Sequence, residues 1–386
     1  MSEGSAVSHR RLAVVVVVLL GVAALLAVRT TPTVVAPETL ATELGDAEFW
    51  GLVSDFSEPN GYFRSDNFLS NERAYQRVIP TLTSTIRPGG VYLGVGPEQN
   101  FTYIVALKPK LAFIVDIRRG NLDEHLLYKA FIEMSADRAD FLSRLFARQR
   151  PAELAANAPV EALFSAYQDA PASQELFDEN LQAARDWLTN RHRFALTADD
   201  LDGLEHVYSA FYQAGPSLNY SFLNGGFGRG GAFPSYSDLM TETDGRGEQR
   251  SYLASEENFR TLKQLERNNA IVPVVGNFAG PKALRAVGRY LNEHHTTVSA
   301  FYTSNVEMYL FQSDDWMKFF GNVATLPVGS TSTFIRSVSG RGFGFGFQNT
   351  VPGARAATRL CSIADLLKSY RSGRIRGYGD VIAMSQ

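Results

Sequence analysis

The apolar and polar positions of this 386-residue chain sort into three kinds of segment. The first is one uncharged run near the start, residues 12–28, of 17 residues. A membrane-spanning helix needs roughly 17 to 25 apolar residues, and a signal-peptide core about 7 to 15. The run therefore predicts one N-terminal transmembrane helix, with a signal cleaved on export as the alternative. Arg10 and Arg11 precede it, and Glu38, Glu43 and Asp46 lie beyond Arg29. That bias of basic residues predicts a single-pass membrane protein, its N-terminus cytoplasmic and its main domain outside. Pro32, Pro37 and the neighbouring threonines predict a linker over residues 31–45.

The second kind is the short, continuous apolar run expected of strands buried on both faces. Five such runs occur: VYLGVG (91–96), LAFIVDI (111–117), AIVPVVGNF (270–278), TTVSAFYTSN (296–305) and STFIRSVS (332–339). The third kind has helical period. It covers residues 100–109, a segment capped by Asn121, a long stretch over about 136–213, and residues 280–295. Residues 255–269 also read as helix, with Ser255 as cap and Asn258 where a capping box carries Glu or Gln. The alternation predicts an α/β domain over residues 46–386, with a mainly parallel sheet and a large helical insertion at about 136–265. RGFGFGFQ (341–348) alternates at period two, which sets Phe343, Phe345 and Phe347 on one face.

In open parallel sheets, ligands bind outside the carboxyl ends of the strands, so the residues after each run carry the candidate chemistry. After the first come Gly94, Gly96, Glu98 and Asn100. A dinucleotide fingerprint G-x-G-x-x-G would need glycine at 99, where Gln99 stands. Helix N-termini favour anions, and a carboxylate at Glu98 opposes a pyrophosphate there. It suits a ligand with hydroxyls or positive charge; the other reading is an ordinary glycine turn. Asp116 lies 22 residues beyond Gly94, where an acid would hold a ribose hydroxyl pair, unless it only pairs with Arg118 or Arg119. Asn277 and Phe278 would meet an adenine edge and face, or Asn277 would cap the next helix. Tyr302, Asn305, Glu307 and Tyr309 gather polar groups after the fourth run. Glu307 would be a general base if burial raised its pKa, or the first turn of a helix capped by Asn305. Upstream, Tyr62, Arg64, Asp66, Asn67, Asn71 and Glu72 form a polar set suited to ligand contacts or to capping. Arg229, in the glycine-rich loop 223–240, would reach an anion if that loop is a lid rather than plain surface.

These strand ends, in this order, resemble the S-adenosylmethionine-dependent methyltransferases of the Rossmann-like class. The longer run from FSEPNGYFRSDNFLSNE through STFIRS also resembles a bacterial protein family with a methyltransferase-like fold and no assigned activity; it covers residues 55–337. The resemblance implies a Rossmann-like, methyltransferase-type sheet, S-adenosylmethionine as cofactor and small-molecule ligand, and methyl transfer to a small or envelope-linked acceptor. It implies cofactor contacts at Gly94, Gly96, Glu98, Asn100, Asp116 and Arg118, with Asn277 and Phe278 at adenine. Tyr302, Asn305 and Glu307 would face the acceptor as the catalytic set. Tyr92 and Asn277 stand where the methyltransferases usually carry acids, and Glu98 where they carry a third glycine. The segment between the second and third strands is far longer than theirs. The alternative function is a membrane-tethered, non-catalytic binding or scaffold protein on the same fold.

Composition narrows the field. The net charge of −3 gives no general attraction to nucleic acid. Cys361 is the one cysteine, so no internal disulfide forms. His294 and His295 diverge on a helix and lack metal-ligand spacing with other residues, so no metal site is expected. Neither G-x-S-x-G nor a P-loop is present.

Overall fold

A computed structural model describes residues 38–155, 157–220, 233–339 and 356–386. Helices α1 (Asp46–Phe56) and α2 (Ile79–Thr85) precede β1 (Val91–Gly94). Then come α3 (Gln99–Leu107), β2 (Leu111–Asp116) and α4 (Arg119–Met134). The insertion carries α5 (Arg138–Phe146), α6 (Val160–Gln168), α7 (Gln174–Asp186), α8 (Ala198–Ala214), α9 (Tyr236–Thr241) and α10 (Glu256–Arg267). The chain returns through β3 (Ile271–Val275), α11 (Ala283–Glu293), β4 (Val298–Ser304), α12 (Val306–Gln312) and α13 (Trp316–Val323). It ends with β5 (Val328–Ser339), β6 (Ala356–Ser362), α14 (Ile363–Arg371) and α15 (Tyr378–Ala383).

The six strands form one sheet in the order β3-β2-β1-β4-β5-β6. β1 to β5 run parallel, and β6 is antiparallel to β5. Every residue of β1, β2 and β3 is buried, so helices cover both faces, which is why these strands read as unbroken apolar runs. Pro273 is tolerated because β3 is an edge strand and needs no donor on its outer side. From β1 the chain steps outward to β2 and β3, then crosses to β4 on the other flank. The strand order therefore reverses between β1 and β4.

The expected transmembrane helix over 12–28 and the phenylalanine stripe over 341–348 lie outside the described residues. Among the described residues no helix is long and apolar enough to cross a membrane. Residues 39–386 form one compact unit, so the expected linker does not extend to 45. Leu40 and Leu44 are buried, and Leu44 bonds through its N–H to Asn268 O at 2.9 Å. Ser255 caps α10 as expected, accepting from Asn258 N at 3.1 Å. Asn121 does not cap α4; that helix starts at Arg119 and buries Asn121.

The insertion explains an unusual feature of α4. Its charged residues from Asp123 to Glu133 are buried, because α8 and α10 pack over it. A charge taken out of water needs a partner, and Lys129 Nζ meets Glu133 at 2.7 Å. His192, beyond α7, bridges Glu133 at 2.8 Å and Asp46 of α1 at 2.7 Å. Trp187 Nε1 donates to Glu133 at 2.9 Å. Burial alone would raise the Glu133 carboxyl, but the bond to His192 and the Lys129 ammonium outweigh it and hold the pKa at about 2. Glu266, fully buried beside Lys129, is instead pushed up to about 8 by burial.

Because the folded pKa of Glu133 is depressed, its stabilisation is complete above the ordinary carboxyl range and is lost as pH falls through about 2. Glu133→Gln should cost about 3 kcal/mol at pH 7 by removing the carboxylate nearest the buried Lys129 ammonium. Denaturant unfolding from pH 7 to 2 should show the gap to wild type closing with acid; a gap independent of pH would count against the assignment.

Candidate functional site

The turn after β1 is built around one side chain. Asn100 Nδ2 donates to the carbonyls of Val95 at 3.0 Å, Gly96 at 3.1 Å and Pro97 at 2.8 Å. Its Oδ1 accepts from Tyr92 Oη at 2.9 Å. Gly94 is required because a Cβ there would stand 1.9 Å from Asn100 Oδ1. Gly96 is required for a different reason: its φ is +77°, while open space surrounds its Cα. His125 of α4 reaches Gly96 O at 2.9 Å through Nε2. Burial pushes the His125 pKa down to about 4, so the ring is neutral and donates from Nε2.

A cleft of about 500 Å³ opens at the carboxyl ends of β1 to β4, where the strand order reverses. That volume suits a small-molecule ligand. Val95, Pro97, Val115 and Ile117 give it apolar walls. Of the expected cofactor contacts, Gly96, Asp116, Arg118, Asn277 and Phe278 line it; of the expected catalytic set, Tyr302 and Asn305 do. Asp116 Oδ1 accepts from Arg118 N at 2.9 Å and Arg118 Nε at 3.2 Å. Arg118 also donates to Asp66 O, while Arg119 turns away to Asp200 of α8 at 2.7 and 2.9 Å. Asn277 Oδ1 accepts from Ala279 N at 2.9 Å. The start of α11 is capped by Glu58, whose carboxylate accepts from the backbone of Asn277, Lys282 and Ala283. Asn305 makes no side-chain cap bond.

Four expected contacts are placed elsewhere. Gly94 and Asn100 build the turn from within. Glu98 is fully buried on the side of Tyr75, Tyr236 and Tyr252. Burial pushes it up to about 8, so it is neutral at pH 7 and brings no charge to the turn. Glu307 sits in a buried ion pair with Arg336, Oε1 to Nη2 at 3.2 Å and Oε2 to Nε, with Thr303 Oγ1 at 3.2 Å. An acid neutralised by a guanidinium is a poor proton acceptor. Phe278 touches the cleft, but its ring stacks on Phe319 at 5.5 Å and meets Phe301 edge-on at 5.1 Å, so it belongs to the core.

Other residues complete the cleft. Asn67, Asn71 and Glu72 of the upstream polar set line it, whereas Tyr62 points to solvent. Gln99, at the position of the missing third glycine, donates from Nε2 to Glu72 Oε2 at 3.3 Å and accepts from Ser70 Oγ. Ser304, at the end of β4, donates to Glu72 Oε1. Ser304 and Asn67 have φ of +50° and +51°, conformations that L-residues hold only under constraint and that cluster at working sites. The polar set was legible in the sequence; which of its members turn inward was not. Phe63 and Tyr309 meet edge-on at 5.6 Å within the lining. Tyr220 lines the cleft at one end of the 221–232 segment that contains Arg229, and Asn219 bridges to Ser235 at its base. The segment itself lies outside the described residues. Among the described residues no group of three His, Cys, Asp or Glu is placed to hold a metal ion.

Residues 67–359 match a family described as Domain of unknown function (DUF7790). The chain belongs to that family. No curated protein matches it. The DUF7790 region begins at Asn67, one of the left-handed residues of the lining, and ends within β6. It takes in the cleft-lining residues from Asn67 to Asp315 and leaves out Phe63.

The two glycines of the DUF7790 turn should respond differently to alanine. Gly94→Ala must displace Asn100 and should cost about 2 to 4 kcal/mol. Gly96→Ala meets no neighbour and should cost about 1 to 2 kcal/mol from its backbone alone. Equal losses in denaturant unfolding would refute the separate roles.

Proposed function

We propose that the cleft binds a nucleoside-type small molecule, S-adenosylmethionine first among them, as methyl donor for a small or envelope-linked acceptor. The single observation that carries this reading is convergence. Gly96, Asp116 and Asn277 follow three different strands and meet in one cleft at the reversal of a 3-2-1-4-5-6 sheet. A Rossmann-like, methyltransferase-type sheet is consistent with that order. In this reading Gly96 lets the ligand approach the backbone, and Asp116, steadied by Arg118, accepts from the ribose hydroxyls. Asn277 keeps its amide nitrogen for adenine. Tyr302 and Asn305 face the reacting end.

One observation favours a second reading, a membrane-tethered binding or scaffold protein without chemistry. Glu307, the expected proton acceptor, is held by Arg336. The two readings also separate by topology. S-adenosylmethionine is a cytoplasmic metabolite, whereas an anchor at residues 12–28 would carry the domain outside. A topology reporter fused at the C-terminus should report a cytoplasmic domain under the methyl-donor reading; an external signal favours the second.

Binding decides first. At 100 times its dissociation constant, S-adenosylmethionine or S-adenosylhomocysteine should stabilise the full chain by about 2.7 kcal/mol in a thermal-shift assay. Asp116→Asn should weaken binding by roughly 10- to 100-fold through loss of charge-assisted bonds. A folded wild-type sample that shows no shift with either ligand removes this reading.

A further inference from the structure

Glu72 is the one buried acid of the lining to which the strand-end reading gives no role. It is 4% exposed, and its carboxyl oxygens are held by Ser304 Oγ and Gln99 Nε2. The hydroxyls of Tyr302 and Ser337 adjoin it. Its own N–H donates to Ser70 Oγ at 3.1 Å. All of these partners are neutral.

The contrast with other buried acids is informative. Glu307 has Arg336, Glu133 has Lys129, Asp200 has Arg119 and Asp116 has Arg118. Among the described residues no cation pairs with Glu72. Glu98 and Glu124 also lack one, but they do not line the cleft. Glu72 has donors, which favour the ionised form, and it lines the cleft. Burial nevertheless holds its pKa above the ordinary carboxyl range, so the pocket as it stands lacks compensating positive charge. The left-handed backbone of Ser304 fixes one of those donors at the end of β4.

We propose that Glu72, with Tyr302 beside it, forms a subsite for a positively charged group of the ligand, a sulfonium or alkylated ammonium. This rests on the nucleoside reading for the rest of the ligand and adds its charge. A cation in the cleft would complete the ion pair that the chain leaves open. A phosphate or carboxylate in the same place would meet a buried carboxylate and be repelled.

S-adenosylmethionine and S-adenosylhomocysteine separate the two claims, because they differ at the sulfur by one methyl group and one charge. In titration calorimetry of the full chain, wild type should prefer the sulfonium by about tenfold or more. Glu72→Gln, which keeps the shape, should bring the two ligands within about twofold while S-adenosylhomocysteine binding persists. Equal wild-type affinities, or a preference that survives Glu72→Gln, overturns the subsite and leaves the nucleoside reading standing. Where Glu72→Gln does not fold, the wild-type preference alone decides. If neither nucleoside binds, the nucleoside reading falls and a thermal shift with trimethylsulfonium decides the subsite. A rise in wild type upholds it, and no rise overturns it.

Discussion

The side-chain amide of Asn100 is the constraint on which the site depends. One group gathers three successive carbonyls of the turn, sharing that of Gly96 with the His125 ring. To do so it must lie in the space where a side chain at 94 would be, so glycine there serves the protein's own packing. The amide is in turn fixed by the Tyr92 hydroxyl, which accounts for a tyrosine in the middle of an otherwise apolar strand. With the turn held from within, the preceding residue, Gln99, docks the segment that carries Glu72. At the third position of the dinucleotide fingerprint, where glycine would serve close packing of helix on strand, stands an amide that organises a carboxylate.

A second constraint comes from the insertion. Six helices between β2's crossover helix and β3 convert α4 from a surface helix into a core one. Charges that look like a solvated face in the sequence are thereby enclosed, and the chain answers with two solutions. Where a cation pairs closely, as Lys129 does with Glu133, the pKa of the acid is held down; where none does, as at Glu124, burial pushes it well up. The same choice, made at the wall of an open cleft, is what gives Glu72 its interest.

The strands were legible because burial on both faces leaves a simple mark, an unbroken apolar run. Their order of ends located the cleft, and Gly96, Asp116, Asn277, Tyr302 and Asn305 line it as read. Side-chain direction was the part that could not be read. Glu98 and Asn100 sit in the same turn as Gly96, yet a difference of two or four positions at a helix start sends them inward. Glu307 is one helical turn from Tyr302's strand, but its direction depends on Arg336, 29 residues later. Phe278 had an apolar cluster to join that only the packed sheet assembles. β6 escaped notice because it is a half-exposed edge strand whose residues carry no regular alternation.

The length of the crossover between β2 and β3 also bears on how the molecule assembles. In the finished sheet these strands are neighbours, yet 154 residues lie between Asp116 and Ile271. Until β3 arrives, β2 presents a row of unpaired peptide groups along an apolar edge. Closing so long a loop costs entropy before the pairing repays it, so this contact forms late unless the insertion has already folded and drawn its ends together. The insertion thus stands between the nascent chain and edge-to-edge aggregation, and the order in which it folds sets how long that edge stays open.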